Sequence, residues 1–274
     1  MLPTIKLGDA NVSRLIIGGN PFSGNSHVDE QLSADMEDFF TTSEIKRTLF
    51  RCVECGVNTM QLRGDKHIMR IIREFRLEGG EMNWIAQTAP EMGFFAGHVK
   101  QMAALNPVAI YHHGTVTDAL FKEKKYDELT DRLKLIRDTG KPVGLGTHMP
   151  EVMRYAEEHN WDIDFYMSCI FNLSYQERVS SAITGKANSG EWFDEADVPV
   201  MYDMIRAVGK PCLAFKILGA TRRCATQDDV RAAFFEAFKN IKPTDAVVVG
   251  MYPKTLDQVG LNSRYTREAI EALG

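Results

Sequence analysis

Eight short apolar runs, rich in β-branched and aromatic residues, recur from one end of the chain to the other. They are Leu15–Gly18, Asn58–Leu62, Trp84–Gln87, Val108–Tyr111, Val143–Gly146, Asp164–Met167, Cys212–Phe215 and Ala246–Val249. Amphipathic stretches separate them. Tyr126 to Asp138 places Leu129, Leu133 and Ile136 on one helical face, and Asp228 to Phe238 follows Thr226 and Asp229, a plausible N-cap and third-position acid. Gly56, Gly140 and Gly209 each stand just past an expected helix, where left-handed backbone is cheap only for glycine. Eight strand–helix units predict a (β/α)8 barrel, with a site built at the carboxyl ends of the strands. An open doubly wound sheet would carry a G-x-G-x-x-G turn after its first strand, and Gly18-Gly19-Asn20-Pro21 does not supply one. With 274 residues and no linker, repeat or low-complexity tract, residues 1–274 are read as one domain.

Composition removes several function classes. The formal net charge is −5 and Arg and Lys are dispersed, which argues against a nucleic-acid surface. No run reaches the ~18 apolar residues of a membrane span. The first residues lack a signal peptide's basic start and apolar core, so a cytoplasmic protein is expected. Five scattered cysteines fit that compartment. Cys52 and Cys55 have redox or zinc spacing, but no second pair follows, and both fall in an expected helix, Ser43 to Cys55, where cysteine packs as a small core residue.

The barrel reading collects a mixed polar set at the mouth. The strand that ends at Tyr111 runs into His112 and His113, and imidazole changes charge near neutral pH. Either histidine could serve as acid, base or carbonyl polariser, and either could be an ordinary surface residue. His148 follows the next strand. Two histidines suggest a metal site, but no carboxylate ends a nearby strand, so no metal is expected. Lys216, read as part of a strand Cys212 to Leu218 on the face of Ala214, has three readings. These are an anion or phosphate ligand, a lysine that snorkels to water, and an imine-forming amine. Asn20, Gln61, Arg63 and Gln87 are the expected substrate-binding residues, and Ser168, Asn172 and Lys216 line the same mouth. Two long segments, Phe22 to Thr42 and Tyr175 to Val198, read as lids, substrate walls or surfaces for a partner subunit, leaving a homo-oligomer open.

Several segments together resemble the aldo/keto reductase superfamily. Thr4-Ile5-Lys6-Leu7-Gly8 and Val12 to Gly18 resemble its N-terminal hairpin and first strand. Gly56-Val57-Asn58 resembles the approach to its second strand, and Gly140 to Gly146 its fifth. Phe171-Asn172-Leu173, His113-Gly114, Thr147 to Glu151 and Ala214 to Gly219 are similar to later strand ends. Val248 to Met251, followed by Lys254, Gln258 and Asn262, resembles the segment that grips the 2′-phosphate end of NADP. The resemblance implies a (β/α)8 barrel with an N-terminal β-hairpin and NADP-dependent oxidoreduction of a small carbonyl or sugar-like substrate. Ser168, Asn172, Lys216, Lys254, Gln258 and Asn262 would hold the cofactor. Of the family's Asp–Tyr–Lys–His catalytic set, only the histidine is kept, as His113 or His112. Gln61 stands at the Asp, the Tyr falls near Lys66, and Gln87 or Thr88 stands at the Lys. A glutamine does not ionise near neutral pH, so the reductase reading needs a replacement acid, from His113, Lys66 or His67. Two alternatives follow: a non-redox lyase, isomerase or epimerase using His113 and His148 as acid and base with Lys216, and an inactive binding protein.

Overall fold

A computed structural model of the chain describes residues 2–175, 181–184 and 191–274. The eight runs form one closed, parallel barrel: β3 (Leu15–Gly18), β4 (Thr59–Arg63), β5 (Asn83–Gln87), β6 (Ala109–His112), β7 (Val143–Thr147), β8 (Phe165–Cys169), β9 (Cys212–Phe215) and β10 (Ala246–Gly250). Closure is made by β10 against β3, with Val248 opposite Ile16. The expected hairpin is present as β1 (Thr4–Leu7) paired antiparallel with β2 (Ala10–Ser13).

Strand alternation divides the core in two. Ile16, Ile85, Tyr111, Phe165, Leu213 and Val248 fill the barrel, and Ile5, Leu7 and Val12 of the hairpin pack onto them from the end where β2 feeds β3. The opposite residues, such as Ile17, Leu62, Ile110 and Leu145, pack against the surrounding helices. The interior has large rings because β7 supplies glycines. A Cβ on Gly144 would come within 2.3 Å of the Phe165 ring and 2.5 Å of Tyr111.

Helix starts follow short polar side chains that accept orphan backbone N–H groups. Asp29 caps α1 (Glu30–Phe39), Thr41 caps α2 (Thr42–Glu54) and Asp65 caps α3 (Lys66–Leu77). Thr226 and Asp229 form the expected capping box of α10 (Gln227–Asn240). The other helices are α4 (Phe95–Ala103), α5 (Gly114–Lys122), α6 (Tyr126–Arg137), α7 (Pro150–Glu158), α8 (Ser181–Thr184), α9 (Asp197–Ala207) and α11 (Gln258–Leu273). Gly56 and Gly140 are left-handed as expected. Gly209 is not, because α9 ends earlier, with extended Val208 as its C-cap. Cys52 is fully buried in α2 and Cys55 partly so; all five cysteines are free. Among the described residues no helix is long and apolar enough to cross a membrane. The first long segment holds α1. Of the second, Gly185 and Gly190 lie outside the described residues.

Candidate active site

β6 ends at His112, and His113 follows it as the residue before α5. Tyr111 belongs to the interior, so His112, the next residue of the strand, faces the helices. His112 is 1% exposed. Its Nδ1 lies 2.8 Å from Thr117 Oγ1 on α5, and its ring lies 5.8 Å from that of Phe95 on α4. Burial pushes its pKa down to about 3, so it is a neutral core residue. Of the two expected catalytic histidines of this strand end, His112 is thus the one packed against the helices. His113 N-caps α5, and its backbone N–H donates to Thr88 Oγ1 at 2.9 Å.

His148, just past β7, has a partner that the sequence did not reveal. Its Nδ1 lies 2.7 Å from Asp118 Oδ2, and its backbone N–H donates to the same oxygen at 3.2 Å. Thr147 Oγ1 donates to Asp118 Oδ1 at 2.5 Å. A carboxylate at Nδ1 fixes the tautomer with the proton there and leaves Nε2 as the basic nitrogen. Asp118 sits one helical turn into α5, and Gly114 at the start of that helix admits the imidazole: a Cβ there would meet His148 Cε1 at 3.2 Å. The His148 ring packs edge-on to Phe215 at 5.6 Å.

Beyond Phe215, the chain turns sharply. β9 stops at Phe215, and Lys216 is left-handed at φ +63. The strand alternation that put Lys216 on the face of Ala214 therefore ends before it reaches the lysine. Lys216 Nζ lies 3.4 Å from Glu191 Oε2, and both side chains are over nine-tenths buried. The same oxygen lies 2.9 Å from His27 Nδ1, and His27 Nε2 lies 3.0 Å from Asn20 Nδ2. His27 is also left-handed, at φ +60. Arg222 ties these loops together: its guanidinium stacks 3.9 Å from the Phe193 ring centroid and donates to the carbonyls of His27 and Glu191, each at 3.4 Å. Beneath the network, at the ends of β3, β9 and β10, is a cavity of about 210 Å3 lined by Asn20, His27, Gln61, Phe215 and Lys216, among others.

The remaining expected site residues do not all gather there. Gln61 lines the cavity and Gln87 lies opposite Tyr111 in the sheet register, while Arg63 is spent on ion pairs with Glu91 and Asp65. Lys66 is exposed at the start of α3, out of line with the interior. Of the residues assigned to NADP, Lys216 and Gln258 line the cavity and the others lie elsewhere. Ser168 is on the outer face of β8, where its hydroxyl reaches Met153 Sδ of α7 at 3.5 Å. Asn172 Oδ1 accepts from the Ser174 backbone and hydroxyl. Lys254 is paired with Asp35, and Asn262 is buried within α11. Gln258 lines the cavity and accepts from the Tyr252 N–H at 2.7 Å. Among the described residues no three His, Cys, Asp or Glu side chains form a metal-binding group. Sequence reasoning missed Asp118, Glu191 and His27. Asp118 had a readable signal, since it lies on the buried face of α5 beside Thr117.

No family model matches the chain, and no curated protein matches it. Solved structures do. A truncated 3-deoxy-D-arabino-heptulosonate 7-phosphate synthase from Thermotoga maritima aligns over 99% of this chain and 92% of its own, at 16% identity and TM-score 0.57. A lactate oxidase from Pediococcus acidilactici aligns over 99% and 74%, at 15% identity and TM-score 0.52. QR15, an aldolase, aligns over 85% and 92%, at 9% identity and TM-score 0.51. These likenesses show the (β/α)8 fold. None of the three is an aldo/keto reductase, and the expectation of an NADP-dependent reductase of that type is corrected. The physical reason is in the sequence: three of the four catalytic positions of that family are replaced, by Gln61, by a residue near Lys66 and by Gln87 or Thr88.

Proposed function

We propose that the chain is a non-redox enzyme, a lyase, isomerase or epimerase acting on a small hydroxy-carbonyl compound by proton transfer at carbon. The Asp118–His148 pair carries this reading. A base must have a free-energy cost of protonation matched to its task and a fixed orientation; the carboxylate supplies both by holding Nδ1–H and stabilising the imidazolium that forms. In the reaction, His148 Nε2 takes the proton from the carbon beside the carbonyl. The C–H electron pair becomes the enolate C=C bond, and the carbonyl oxygen gains the charge. His113, from the adjacent strand, and Lys216, beyond Phe215, are the donors available to that oxygen. Lys216 acts here as a cation rather than as an imine-forming amine, since imine formation needs the neutral amine and Glu191 provides an anionic partner at 3.4 Å. Aldolase and synthase chemistry in proteins with this fold is consistent with the reading.

The test is conversion of small hydroxy-ketones and hydroxy-aldehydes, followed by NMR with no nicotinamide present. The wild-type chain converts at least one to a redox-neutral product, and His148→Gln lowers the rate by about 100-fold or more with unfolding temperature unchanged. Conversion that requires added NADPH, or that His148→Gln leaves intact, overturns the proposal.

A further inference from the structure

The cavity at the ends of β3, β9 and β10 has a chemical character that the proton-transfer residues do not explain. Among the described residues that line it, Lys216 is the one lysine or arginine, and none is Asp or Glu. The Lys216 charge is already matched by Glu191, whose carboxylate lies 3.4 Å from the ammonium. Side-chain amides supply much of the remaining polarity, from Asn20, Asn25, Gln61 and Gln258, while Phe215 and Tyr252 offer apolar ring surface. Asn25 Oδ1 is buried and has no hydrogen-bond partner among the described residues.

We infer that this cavity is a subsite for the uncharged, hydroxyl-bearing chain of the substrate, and that it selects polyhydroxylated compounds over phosphorylated ones. Hydroxyls both donate and accept, which matches amides that present a donor and an acceptor each. A phosphate dianion would sit beside the Glu191 carboxylate, and the Lys216 ammonium at the wall is already ion-paired with it. The size agrees: a cavity of about 210 Å3 has room for a chain of a few hydroxylated carbons. The inference rests on the proposed reaction only for which compound is turned over. The binding itself is independent of it.

The experiment is saturation-transfer NMR on the intact chain with xylitol as probe and inorganic phosphate as competitor. Xylitol binds saturably, and phosphate does not displace it. Asn25→Ala weakens xylitol about fivefold or more, as does Gln61→Leu, which keeps the side-chain volume and supplies the same readout if the first variant fails to fold. Absence of xylitol binding, displacement by phosphate, or unchanged affinity in the folded variant overturns the inference. Saturable xylitol binding without any turnover removes the proposed reaction and leaves the subsite standing; turnover without xylitol binding does the reverse.

Discussion

Asp118 decides which nitrogen of His148 is basic. With the carboxylate 2.7 Å from Nδ1, the proton stays there and Nε2 keeps its lone pair. Asp118→Asn reverses this, because the amide N–H donates to Nδ1 and pushes the proton to Nε2. Nitrogen-detected NMR will show the Nδ1–H tautomer in the wild type and Nε2–H in the variant. Turnover falls by about 100- to 10,000-fold with KM little changed; an unaltered tautomer sinks the assignment. Two other histidines act on stability. His98 Nε2 accepts from the Ala89 N–H at 3.0 Å, and burial pushes its pKa down to about 4; His112 lies lower still, at about 3. The unfolded chain binds these protons near pH 6.5 and the folded chain does not. The stabilisation is complete above about pH 6.5 and is lost as pH falls toward 4. His98→Gln flattens the slope of unfolding free energy between those limits, by on the order of 2 kcal/mol at pH 4. An identical slope in the variant counts against the burial. At this scale the sequence was half legible. His148 and Lys216 could be picked out because they follow strands, whereas Glu191 and His27 reach the mouth only through long loops with no periodicity to read.

Strands and helices were far more readable, because each has a period and a polar stop. Every one of the eight apolar runs is a strand, with ends displaced by at most two residues, and the Thr226–Asp229 box is present. The failures come from local backbone. The strand expected to reach Leu218 stops at Phe215, and Lys216 is left-handed, so alternation misplaced it. His112 and His113 could be separated only once Tyr111 was known to face inward. β7 is the element that the barrel tolerates least change in, since Gly144 yields its space to Phe165 and Tyr111. Gly144→Ala overpacks that layer and costs about 1–3 kcal/mol in urea unfolding. A change within error would show that the rings have room to shift.

For the whole molecule, closure into a barrel was legible because eight strand–helix units leave few other solutions. Reaction type was not, because one barrel serves many chemistries and function resides in the residues set at its mouth. The aldo/keto reductase resemblance carried the architecture and the hairpin correctly and carried the chemistry wrongly. Segments such as Gly140 to Gly146 answer to barrel packing, whatever the reaction. What separates the two chemistries is where the transferred hydrogen comes from. In heavy water, with a converted hydroxy-carbonyl substrate and no nicotinamide, proton transfer through His148 places solvent deuterium on the carbon beside the carbonyl. Mass spectrometry and proton NMR of the product will read that label. A product without solvent deuterium at that carbon, or one labelled only from deuterated NADPH, contradicts the account.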